Sequence, residues 1–137
     1  MYAGIISLTA IFSAFAGFLT IGIANAEELP EGIKVNIVPE YASRLPTLEK
    51  MRYVKVVLQP GAAFDNILIV HEEYCRLSQG QLTHTNHTTG ITTVFSVGSL
   101  WAPPKGDRHT VTNTGQDVAI MWVYQLIEKG AEKGDKM

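Results

Sequence analysis

Four histidines, one cysteine and the adjoining Glu72 and Glu73 are the side chains in this 137-residue chain suited to hold a metal or pass a proton. Neighbouring residues on a strand point to opposite faces, so Glu72 and Glu73 make a poor acid/base pair across one substrate. His84 and His87 stand three residues apart in the Thr- and Asn-rich run between Leu82 and Gly90. That composition reads as an exposed hairpin tip, and the spacing is weak evidence for a metal. Cys75 cannot close an internal disulfide or build a cysteine-based zinc cluster alone, and its strand-like setting between Tyr74 and Leu77 reads as a buried small hydrophobe. There is no Ser-His-Asp order and no phosphate-cradling glycine loop.

His109 has a more specific setting. From Gly98 to Asn113 the chain carries Gly98, Pro104, Gly106, His109 and Asn113 in the spacing G, five residues, P, one, G, two, H, three, N. The glycines permit bends and the proline stiffens the approach. His109 then begins a strand that can point it into a barrel, and Asn113 can hydrogen-bond locally at its turn with Gly115. This run resembles the second motif of the cupin superfamily. The first motif of that family places G, five residues, H, one, H, three, E, six, G. Setting its first glycine at Gly61 puts the histidines at Ile67 and Ile69, the glutamate at Glu73 and the last glycine at Gly80.

The resemblance implies a small all-β double-sheet barrel of jelly-roll type, frequent dimerisation, and activities from dioxygenases, lyases and isomerases to binding and storage. In metal-binding cupins the two first-motif histidines, the glutamate and the second-motif histidine form the site, so here only Glu73 and His109 carry over. Ile67 and Ile69 share one strand face and put hydrocarbon where imidazoles would gather. His71 shares that parity. A divalent transition metal on His71, Glu73 and His109 is therefore the alternative arrangement, with a solvent-facing His71 as the plainer one.

The elements that must position these residues follow a β rhythm. Short runs rich in Val, Ile, Thr and Tyr span 52–58, 66–70, 74–78, 81–85, 91–97, 100–102, 109–113 and 117–127, with turn residues between them. Pro30, Pro39 and Pro46 break the stretch 27–50, which is expected to be an extended arm with at most a short strand over 33–38. The expected divisions are a leader over 1–26, the arm, a barrel over 51–127 and a frayed tail over 128–137. The run 118–124 is apolar on both faces, so both must be covered, and a homodimer is expected from this. Trp101 is expected to fill the core, its other use being to stack on a ring-shaped ligand.

Residues 3–23 carry no charged side chain and end before Ala24-Asn25-Ala26, a small-x-small pattern suited to a signal peptidase. Cleavage after Ala26 would leave 111 residues, in a periplasm or outside the cell; an uncleaved membrane anchor over 3–23 is the alternative. With a net charge of -2 and 18% charged residues, the chain presents no basic field for nucleic acid.

Two functions are consistent with these residues. The first is an exported binding protein with an apolar barrel pocket for a small molecule, lined by Ile67, Ile69 and the last strand and oriented by Glu73 and His109. The second is a metal-dependent cupin enzyme of lyase, isomerase or dioxygenase type on His71, Glu73 and His109.

Overall fold

The computed structural model describes residues 29–131, so the leader and its cleavage site lie outside the described residues. Nine strands follow one another: β1 (Ile33–Ala42), β2 (Leu48–Leu58), β3 (Ala63–Leu68), β4 (Glu72–Gln79), β5 (Leu82–Asn86), β6 (Ile91–Phe95), β7 (Leu100–Trp101), β8 (Arg108–Thr112) and β9 (Ala119–Glu128). They form a five-stranded sheet, β1-β2-β9-β4-β7, and a four-stranded sheet, β3-β8-β5-β6. Every paired strand runs antiparallel to its neighbour. Among the described residues no helix is long and apolar enough to cross a membrane.

Period-two alternation builds the core. On β2, Arg52, Val54, Val56 and Leu58 turn inward; on β9, Ala119, Met121, Val123, Gln125 and Ile127 do so. Phe64, Leu77 and Leu82 complete a fully buried centre, each contributing roughly 1.5–3 kcal/mol by leaving water. The two sheets bury these inner faces against each other, and the outer face of β9 remains partly open.

The stretch expected to be an arm is instead largely strand. β1 spans ten residues as the edge of the larger sheet, and β2 already begins at Leu48. Its register skips between Val38 and Tyr41, beside Pro39, and an edge strand with an irregularity is where a sheet tolerates proline.

Two local features fix the wall that carries the site. The pairing of β3 with β8 slips by one residue between Phe64 and Ile67, with Asn66 at a φ of 49°. This bulge lets Phe64 and Ile67 both face inward although they are three apart. Gly80, at a φ of 78°, lies so close to β9 that a Cβ there would sit 2.8 Å from the Cα of Ala119.

Candidate functional site

A cavity opens between the two sheets. Its apolar walls come from Val56, Met121 and Val123 of the larger sheet and from Phe64, Ile67, Ile69 and Val111 opposite. Trp101 and Pro103 line it too, and its polar side chains are Glu73, Cys75, His84 and His109. About 30 Å³ is open to the centres of water-sized molecules, room for one or two of them. Thus Ile67, Ile69, Glu73 and His109 lie on one cavity.

His109 is on β8, fully buried, and its Nδ1 is hydrogen-bonded to Nε2 of His84 on β5. The ring centroids are 4.6 Å apart. One proton lies between the rings, donated by either partner, and the other end of His109, Nε2, is buried with no hydrogen-bond partner among the described residues. Burial holds His84 down to about 4, with the nearby His109 adding to the effect. Burial also lowers His109, Asp107 opposing this and His87 reinforcing it. Both rings are therefore neutral at pH 7.

Glu73 projects from β4. Burial pushes its carboxyl up to about 7, against the lowering effect of the hydrogen bond from Gln125 Nε2, 3.1 Å long. In register across three strands, Arg52, Gln125 and Glu73 form an inward polar row, next to the apolar row of Val54, Val123 and Cys75. Arg52 is tied to Glu40 at 2.7 Å. Desolvation, with Glu73 adding to it, also raises the Cys75 thiol, so it stays protonated and unreactive.

Trp101 serves both the core and the cavity wall. It stacks on Phe95 at 4.2 Å, and His84 packs against both rings at 5.8 and 6.4 Å. Asn113 closes the second-motif turn: its Nδ2 donates to the carbonyls of Leu58 and Asp117, both at 2.9 Å, and its Oδ1 accepts from Gly115 N at 3.0 Å.

Two expectations about the histidines need correcting. His84 is not at an exposed tip; it is buried on the inner face of β5. The run Leu82, Thr83, His84, Thr85, Asn86 alternates inward and half-exposed, so its period of two was the signal, masked by its polar composition. His87 does lie at the exposed end, bonded to Thr110 Oγ1 at 2.7 Å.

His71 is buried rather than solvent-facing, yet it does not line the cavity. Among the described residues no three His, Cys, Asp or Glu side chains gather to hold a metal ion, so His71, Glu73 and His109 are not assembled as a ligand set. The reason is local. His71 falls in the bend between β3 and β4, Ile67 and Ile69 occupy the wall, and His109 Nδ1 is engaged by His84. As placed, His71 stands outside the cavity that Glu73 and His109 share.

Two antiparallel sheets closed over such a cavity, with His109 on its wall, define a cupin barrel, and the chain has the cupin fold. Among solved structures it is similar to a Cupin 2 conserved barrel domain protein from Salinispora arenicola, with a TM-score of 0.59, 16% identity, and coverage of 79% of this chain and 86% of that one. It is similar to the cupin domain of Schizosaccharomyces pombe Cnp3, with a TM-score of 0.60, 15% identity, and coverage of 79% and 74%. The polyketide cyclase RemF from Streptomyces resistomycificus gives a TM-score of 0.61 at 10% identity, covering 78% and 74%. No family model and no curated protein matches the sequence. Likeness at these identities establishes architecture, which hosts many chemistries.

Proposed function

We propose that this chain is an exported binding protein that takes a small, uncharged, mostly apolar molecule into its barrel. The observation that carries the reading is His109 Nε2, buried on the wall of an apolar cavity without a partner among the described residues. A buried polar atom in that state costs free energy that a ligand's hydroxyl or carbonyl can recover by bonding to it. His84 supports the match from behind. With His109 Nδ1 donating to His84 Nε2, His109 Nε2 is an acceptor; when His84 Nε2 donates instead, one proton has left His84 Nδ1 and another sits on His109 Nε2, which is then a donor, so the two neutral tautomer pairs meet either kind of ligand group. Glu73, protonated below about 7, supplies a second neutral polar group. No cation lines the cavity at neutral pH, which disfavours anionic ligands.

The present volume admits only very small molecules. A larger ligand requires Trp101 to give way, and Trp101 belongs to a two-residue strand whose neighbour Leu100 is 74% exposed. Export rests on the leader-like residues 1–26, and an N-terminus at Glu27 in the mass spectrum of natively produced protein is the expected result.

The test is titration of the purified protein with 2-butanone, 1-butanol and butyrate, following the histidine ring signals by NMR. The neutral probes are expected to shift His109 and His84, butyrate to shift neither, and His109→Phe to abolish the response. Stoichiometric metal retained after mild dialysis, or preferential binding of butyrate, would overturn the reading.

A further inference from the structure

The outer face of the larger sheet carries an aromatic stack that the cavity does not use. Tyr53 on β2 and Tyr124 on β9 are register partners, which sets their side chains beside each other on one face. Their ring centroids lie 4.2 Å apart with the planes inclined by 27°, and Tyr124 Oη donates to Tyr53 Oη at 2.8 Å. Trp122, two residues before Tyr124 on the same strand, stacks on the other face of Tyr53 at 4.8 Å and is held by a hydrogen bond from its Nε1 to Ser78 Oγ at 3.1 Å. Tyr53 is thus clamped between two rings, its hydroxyl against that of Tyr124. Burial, with this hydrogen bond adding to it, pushes the Tyr53 phenol up to about 12, so it keeps its proton at neutral pH. Tyr124 is 43% exposed and open to an oxidant in solution.

We infer that Tyr53 and Tyr124 form an oxidative modification site, joined within one chain into a dityrosine by hydrogen peroxide acting through a haem peroxidase. Each phenol gives up the hydrogen atom of its O–H bond, and the peroxide is reduced to two waters. The two phenoxyl radicals then join by a carbon-carbon bond between ring positions ortho to their oxygens. The ring hydrogens at those positions leave as protons and the oxygens are reprotonated, which restores both phenols and leaves the chain lighter by two hydrogen atoms. Stacked rings with their oxygens 2.8 Å apart bring these ortho carbons to about van der Waals distance before any oxidation. A partner held in place in this way couples far faster than one that must be met by diffusion. Tyr74, opposite Tyr124 on β4, and Tyr41 are more open, at 55% and 62%, but stand in no such stack among the described residues. The new bond ties β2 to β9, two strands whose inward Val56, Met121 and Val123 wall the cavity.

The test is treatment of the purified full chain with a haem peroxidase and small successive additions of hydrogen peroxide, followed by dityrosine fluorescence, intact mass and peptide mapping. Wild type is expected to give a single chain lighter by two hydrogen atoms, with the peptides of Tyr53 and Tyr124 joined. Its initial rate per chain should not change with protein concentration. Tyr53→Phe and Tyr124→Phe keep a ring in the stack and lose only the phenol, and each is expected to lower the fluorescence about tenfold or more, whereas Tyr74→Phe should leave it within about twofold of wild type. Links that map to Tyr41 or Tyr74, covalently joined pairs of chains in place of the lightened single chain, or oxidation confined to Trp122 would overturn the proposal.

Discussion

Replacing Glu73 with glutamine should change the slope of stability against pH, and the effect can be worked out from two opposed groups. Glu73 titrates at an ordinary value of 4.5 when unfolded and about 7 when folded, so the folded state holds its proton more tightly. Its contribution is fully present below 4.5 and is lost as pH rises to 7, a change of about 3 kcal/mol. His84 runs the other way. Its value falls from 6.5 to about 4 on folding, so its contribution is present above 6.5 and is lost as pH falls towards 4, again by about 3 kcal/mol. His109, also lowered, adds to the histidine side. Between pH 4.5 and 6.5 the two slopes largely offset each other in the wild type. Glu73→Gln removes one of them: stability should rise steeply from pH 4 to 6.5, then level off, and at pH 8 exceed wild type by up to about 3 kcal/mol. The new amide can also donate to Gln125 Oε1, which has no partner among the described residues of the wild type. His84→Gln removes the other slope, leaving stability that falls from pH 4.5 to 7. Urea unfolding followed by tryptophan fluorescence from pH 4 to 8.5 measures both. A constant difference between Glu73→Gln and wild type across that range would refute the argument that Glu73 is buried in a form that favours its proton.

Three further outcomes are expected. Gly80→Ala should cost about 3 kcal/mol by thermal or urea unfolding, because it combines a φ of 78° with a Cβ 2.8 Å from both Ala119 Cα and Val118 O. Asn113→Ala should cost about 2–3 kcal/mol in the same assays, since it leaves the Leu58 carbonyl without its side-chain donor and opens the Gly115 turn. The double variant Ile67→His, Ile69→His should gain binding of nickel or zinc in calorimetry where wild type shows little, because both positions line the cavity beside Glu73 and His109.

Much of the barrel was legible because its signals are local. The glycines and prolines between strands and the two-residue alternation on β2 and β4 are written directly into the chain. The spacing from Gly98 to Asn113 likewise foretold where His109 and the Asn113 turn would be. β1 was harder to see, because proline content argues against a strand while an edge position with a register skip accommodates it. His84 was obscured for a different reason. Its strand puts threonines outside and His84 and Asn86 inside, so polarity alone could not distinguish the buried face. What distinguishes it is a partner twenty-five residues away, His109, and no local pattern encodes that contact. The place of His71 was not legible either, since it depends on how the short bend between β3 and β4 turns.

The one-residue slip at Asp65 and Asn66 acts on everything downstream of it on that strand. Deleting either residue would restore an unbroken ladder with Phe64 and Ile67 two apart and still on one face, whereas losing a residue from the regular part of β3 would turn inward side chains outward. The barrel's lining is thus keyed like a lock tumbler to the parity of β3, and the loss of one residue should be far better tolerated at the slip than anywhere else on that strand.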